Sequence, residues 1–225
     1  FCLSRGLGDV YKRQAPLCLA YALHSLENFG TEDSIAYWGG VHAFLDGKNP
    51  YDPDTLLRIQ RTASPNREVA QFFLNPPWTI PLLIPIFCWD FATSSLALLS
   101  INIFLTFFAM WRLGNLFTPL PPLYLVFVCG FLPVVACWRF GQLSCFLLVG
   151  ILLSLEWVVQ NYRPWWKIAV AFILLSIKPQ TPYLLVVTLL VAVFRHCSKA
   201  DLLKIALVAL LPLSFLVSQS NLVGW

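Results

Sequence analysis

Apolar runs separated by short polar turns fill the chain from residue 94 onward, at 94–111, 120–138, 143–155 and 202–217, and no charged side chain stands between Ser95 and Met110. Hydrocarbon offers backbone amides no water, so such a run predicts a helix that satisfies its own hydrogen bonds while crossing a membrane. The pattern predicts spans at about 94–112, 119–138, 143–160, 165–177, 182–195 and 202–219. A polar stretch, 27–76, precedes them and reads as the one sizeable extramembrane loop. Between loop and first span, 77–89 is apolar but carries Pro77, Pro81 and Pro85. A segment so short and so broken by proline does not cross a core of about 30 Å, and predicts a juxtamembrane or re-entrant piece. The expected fold class is an all-α polytopic helical membrane protein.

Inside the loop, DSIAYWGGVHAFLDG from Asp33 places Ile35, Trp38, Phe44 and Leu45 on one flank, which predicts a helix lying on the membrane. Thr31 or Asp33 would cap it and Glu32 would favour the positive end of its dipole. Alternatively, Asp33 is a general base. Asn49-Pro50-Tyr51-Asp52-Pro53 reads as a turn, and Asn75-Pro76-Pro77-Trp78 as a non-helical entry to the membrane.

Composition strengthens this picture: 58% hydrophobic against 12% charged residues excludes an ordinary water-soluble domain. Seven cysteines, Cys2, Cys18, Cys88, Cys129, Cys137, Cys145 and Cys197, form no CxxC pair and suggest apolar packing rather than a disulfide framework or a metal site. No metal and no cofactor is expected. Residues 4–14, SRGLGDVYKRQ, resemble the translation of a transposon-type sequencing adapter, so 1–14 is expected to be non-native. Without Arg5, Lys12, Arg13 and Asp9, the formal net charge falls from +4 to +2. Residues 15–225 are then expected to form a single membrane domain that lacks native sequence at both ends, the remnant of a first helix running from Ala15 to about Leu23.

Charge orients the spans. Arg112, Arg163, Lys167 and the group Arg195, His196, Lys199 and Lys204 fall on one side, as cytoplasmic loops require. The 27–76 loop, where Lys48, Arg58, Arg61 and Arg67 meet Glu27, Glu32, Asp33, Asp46, Asp52, Asp54 and Glu68, falls on the outer side with Arg139 and Lys178. Two outer turns each carry a cation and a glutamine between apolar walls: Trp138-Arg139-Phe140-Gly141-Gln142 and Lys178-Pro179-Gln180-Thr181-Pro182. A cation below the membrane surface either snorkels to headgroups or faces an anion, and a phosphate is one such anion. Two such turns on one side favour a site. Gln142 and Gln180 could read sugar hydroxyls or satisfy freed backbone groups. His42 is a packed interfacial residue or a base.

In order, DSIAYWGGVHAFLDGKNPYDP, NPPWTIPLLIPIF, RFGQLSCFLLVGILL and KPQTPYLLVV resemble the family 87 glycosyltransferases, polyprenyl-phosphate-mannose-dependent mannosyltransferases and their relatives. The resemblance covers about residues 25–195. Asn75 stands where a tyrosine precedes the two prolines in the family, and Ser144 where an asparagine often follows the Gly-Gln turn, departures that bear on subfamily and sugar. The resemblance implies a C-type glycosyltransferase helical bundle, with an outer loop carrying juxtamembrane helices, in the bacterial inner membrane and an active site on the outer face. By it, Asp33 activates an acceptor hydroxyl, Arg139 and Lys178 hold the donor phosphate, and Gln142, Gln180, Tyr37 and His42 contact sugar or acceptor. A polyprenyl-phosphate-sugar donor, a glycan or glycolipid acceptor and membrane lipids are the implied partners, with no nucleic acid. Transfer would invert the anomeric centre. A transporter or flippase, or a scaffold for polysaccharide assembly, is the alternative.

Overall fold

A computed structural model describes residues 32–117 and 131–223, with residues 117 and 213–223 traced by backbone only. Residues 1–14, the expected helix remnant after Ala15, Thr31 and most of the expected 119–138 span lie outside the described residues. Among the described residues all regular structure is helical. The polar loop folds into α1 (Glu32–Leu45) and α2 (Pro53–Ala63). A 3-10 turn (Pro77–Thr79) leads into α3 (Ile80–Phe87), followed by α4 (Phe91–Phe117), α5 (Leu132–Phe140), α6 (Ser144–Val159), α7 (Trp165–Leu175), α8 (Tyr183–His196) and α9 (Lys199–Val223).

Among the described residues one helix, Phe91–Leu116, is long and apolar enough to cross a membrane. The expected spans 143–160, 165–177 and 182–195 do form apolar helices, but of 16, 11 and 14 residues. At 1.5 Å per residue the longest of these is about 24 Å. Residues 77–89, expected as a juxtamembrane piece, form the 3-10 turn and a short helix with Pro85 inside it.

Two cores stack along the bundle. The first gathers Tyr37, Trp38, Val41 and Phe44 of α1 with Phe73, Leu83 and Phe87, Leu98 of α4, and Leu143 and Ile177. The second joins Ala109 of α4 to Leu152 and Trp157 of α6, Ile168 and Ala171 of α7, Val193 of α8 and Ile205 of α9. At the far end of this second core Glu156 receives Arg112 from α4 and Lys167 from α7.

The surface-helix expectation for α1 is corrected here. Ile35, Trp38 and Phe44 are buried under protein, and only Leu45 of that flank is exposed. The reason lies in the two glycines of the same helix. Gly39 and Gly40 carry no side chain, so Gln60 of α2 and the ring of Phe73 approach the helix backbone closely, and a Cβ on Gly40 would meet that ring at 2.8 Å. With its large side chains buried and its glycines overlaid by Gln60 and Phe73, α1 is enclosed from Ser34 through Val41. Its first turn carries Glu32 and Asp33, which places Asp33 inside the helix and not at its cap.

Candidate active site

The outer segment reaches the helical bundle through a chain of local constraints. Asn49 accepts the Tyr51 amide at 2.9 Å, and Asp52 caps α2 by accepting the Thr55 amide at 2.9 Å with Pro53 opening the helix. The capped helix presents Gln60, whose carboxamide donates to the Gln71 carbonyl at 2.7 Å and accepts the Gln71 amide at 2.8 Å. One side chain thus replaces a paired strand for the extended stretch before Asn75. In that stretch Phe73 points inward while Phe72 and Leu74, 50% and 81% exposed, point out.

Asn75 is the hinge pin. Its carbonyl accepts the Tyr51 hydroxyl at 2.8 Å, and its buried side-chain amide donates to the Ile177 carbonyl at 2.8 Å. Trp78 adds an indole bond to the Ser176 carbonyl at 3.3 Å. These bonds hold the end of α7, and with it the Lys178 turn, against the segment from Asn75 to Trp78.

The result is an open cleft of about 140 Å³ that Asp33, Tyr37, Asn75, Lys178 and Gln180 line, with Phe72 and Leu74 forming an apolar lip. Asp33 and Lys178 are half-buried and no ion pair joins them. Burial pushes the Tyr37 phenol up, the charge of Asp33 adds to this, and the Leu143 amide opposes it, so the hydroxyl stays protonated and able to donate.

Four of the seven residues singled out from sequence, Asp33, Tyr37, Lys178 and Gln180, meet at this cleft. The other three do not line it. Arg139 and Gln142 sit on the neighbouring turn at the end of α5, where Gly141 at φ 64° closes the helix. Arg139 lies over the Phe140 ring at 5.5 Å. Asn102 of α4, fully buried, donates to the Gln142 carbonyl at 2.9 Å, and the Gln142 side chain accepts from Ser144 at 3.4 Å. That turn remains near the cleft: the Cys137 thiol lies within electrostatic reach of both Lys178 and Asp33. His42 donates to the Trp89 carbonyl at 3.1 Å, beside the Trp38 indole on the same oxygen at 2.9 Å, and so fastens α1 to the turn before α4.

Sequence reasoning missed the lip and its support. Gln71, Phe72 and Leu74 look like unremarkable loop residues, although the in-out alternation of Phe72, Phe73 and Leu74 is a readable sign of an extended strip packed on one side. Among the described residues no group of three His, Cys, Asp or Glu side chains could hold a metal ion.

The model of glycosyltransferase family 87 matches residues 73–225, which include Leu74 of the lip, Asn75, the Gly-Gln turn and Lys178, while Asp33, Tyr37 and Phe72 precede the matched range. No curated protein and no solved structure matches the chain.

Proposed function

Because the chain belongs to glycosyltransferase family 87, we propose that it is a membrane enzyme of the C-type fold that transfers a sugar, mannose by resemblance, from a polyprenyl-phosphate donor to a hydroxyl of an envelope glycan or glycolipid. The observation that carries this reading is a carboxylate and an ammonium facing one cleft whose lip is exposed and apolar. An amphiphile with an anionic head needs that combination: a cation for the phosphate and a greasy ledge for the first units of its tail.

Asp33 takes the proton of the acceptor hydroxyl as that oxygen attacks the anomeric carbon. The bond from the anomeric carbon to the lipid phosphate oxygen breaks on the opposite face, and its electron pair leaves with the phosphate. The configuration inverts. The departing group is a stabilised anion, so what it requires is a fixed positive charge and not a proton, and Lys178 supplies it. Arg139, on the adjoining turn, is the second cation for the same phosphate. Gln180 and Tyr37 bind sugar hydroxyls within the cleft. The shorter apolar helices cross the bilayer in company with Phe91–Leu116, and the cleft opens on the outer face of a bacterial inner membrane.

The test is transfer of labelled mannose from polyprenyl-phosphate-mannose in membranes holding the full chain, Asp33→Asn or Lys178→Ala. Loss of transfer in both variants, at normal expression, is expected. Full transfer by Asp33→Asn would remove the base assignment, and full transfer by Lys178→Ala would remove the phosphate assignment.

A further inference from the structure

A second cleft, of about 570 Å³, opens at the other end of α7, between the 160–165 turn and the 196–201 turn. It is separated from the Asp33 cleft by the length of α7, which the active-site chemistry does not use. Tyr162, Arg163, Trp165, His196 and Asp201 line it.

The corner that shapes it is built against ordinary backbone preference. Asn161 at φ 54° and Tyr162 at φ 64° are consecutive non-glycine residues in the left-handed region. The turn aims the Tyr162 ring between Trp157, edge-on at 4.9 Å, and His196, stacked at 3.7 Å with the planes 3° apart. One wall is therefore aromatic and fixed.

The charges are unequal. Arg163 lines the cleft, and Arg195, Lys199 and Lys204 stand nearby in sequence or on its edge. Asp201 is the one carboxylate of the lining, and both of its oxygens are engaged: Ser198 donates to one at 2.9 Å and Lys204 approaches the other at 3.4 Å. Lys204 also lies over the Trp165 ring at 5.6 Å, and Trp166 beside it is exposed. A cation over one tryptophan beside a second, exposed one at the end of an apolar helix suits the headgroup layer of a bilayer, and a basic pocket between such helices suits an anionic headgroup.

We propose that this cleft binds the phosphate of an anionic phospholipid headgroup, with Arg163 as its principal ligand and the Tyr162–His196 stack as its aromatic wall. The site is independent of sugar transfer at Asp33. A lipid held there would brace the α6–α7 turn against the α8–α9 turn.

The full chain in neutral detergent, titrated with short-chain phosphatidylglycerol and followed by native mass spectrometry and tryptophan fluorescence, tests this. Binding should weaken roughly five- to tenfold in Arg163→Gln, as the loss of one cation predicts. Asp201→Asn keeps an oxygen for the Ser198 hydroxyl and removes the negative charge, so it should bind the lipid more tightly, a gain that misfolding does not produce. Equal affinity for phosphatidylcholine, or no response to either substitution, would overturn the proposal. Displacement of the lipid by an equal concentration of inorganic phosphate would overturn the lipid assignment in favour of a soluble phosphate ligand.

Discussion

The side-chain amide of Asn75 donates to the carbonyl of Ile177, 102 positions away along the chain, and the residue after Ile177 is Lys178. The outer segment and the cation of the cleft are therefore registered to each other by one buried hydrogen bond. Its acceptor is the last carbonyl before the turn, so any shift of Asn75 moves the backbone that carries the ammonium.

Replacing Asn75 with Ala leaves a buried carbonyl without its donor, a loss of about 1–3 kcal/mol. Misplacement of Lys178 by an ångström should lower sugar transfer on the order of 100-fold. Asn75→Asp should fail in the same way, because a carboxylate cannot donate. Thermal unfolding together with transfer rates checks this; unaltered transfer in both variants would show that the Lys178 turn holds its place without the bond.

How much of this was legible beforehand differs by element. The helices from α4 to α9 follow from apolar runs, because a helix in a dry environment is written directly in composition. Asp33, Lys178 and Gln180 were visible as polar groups at apolar boundaries, and their convergence followed from the family's order of motifs. What the pattern hid depends on contacts between distant segments. The enclosure of α1 requires Phe73 to lie over Gly40, and no periodicity within α1 announces a ring supplied from outside it. Glu156 reads as one charge near the end of an apolar run until Arg112 and Lys167 are brought to it by two other helices. His42 looked like chemistry because histidine often is, yet its partner is a backbone carbonyl that sequence does not display.

Gly40→Ala should be destabilising although alanine is the better helix former. The added methyl would meet the Cγ and Cδ2 of Phe73 at 2.8 Å, near the base of that side chain where it cannot swing away. Overpacking of this kind costs about 1–3 kcal/mol. In a Phe73→Ala background the same substitution should cost markedly less, so a double-mutant cycle followed by thermal unfolding should show a coupling on the order of 1 kcal/mol or more. Strict additivity would mean that the ring and the helix do not touch.

Acid should loosen the outer segment through its capping carboxylate. The Thr55 hydroxyl and amide hold the Asp52 carboxyl below its ordinary value of 3.8 in the folded chain. A depressed folded value means that the contribution is fully present above the unfolded value and is lost as the pH falls through the folded one. Asp52→Asn keeps an oxygen for the cap and removes the proton, so the acid limb of the stability curve, from the ordinary carboxylate value of 3.8 downward, should flatten. Asp90, held low by Thr93 in the same manner, should keep part of the dependence in that variant. Thermal midpoints across that range decide it, and an unchanged slope in Asp52→Asn would assign the acid sensitivity elsewhere.

The strongest destabilisation should come from a residue outside the proposed catalytic cleft. Glu156, 2% exposed, accepts Arg112 through Nε at 2.8 Å and Nη2 at 2.7 Å on one oxygen and Lys167 on the other, and Lys167 also reaches Gln160 at 3.1 Å. One carboxylate therefore neutralises cations from α4 and α7 while sitting on α6. Glu156→Gln leaves Lys167 buried at 7% exposure with no counter-charge, which costs about 3–5 kcal/mol, while Arg112, at 36%, can turn to solvent and add little. Lys167→Met keeps the Arg112–Glu156 pair and supplies apolar volume, so its cost should be smaller by about 2 kcal/mol or more. The ordering is what matters, because loss of packing alone predicts the reverse: glutamine nearly matches glutamate in shape, whereas methionine does not match lysine's bonds. Urea unfolding in mixed micelles of both variants would read it, and a Glu156→Gln cost no greater than that of Lys167→Met would mean that the three helices are joined by packing and not by this charge.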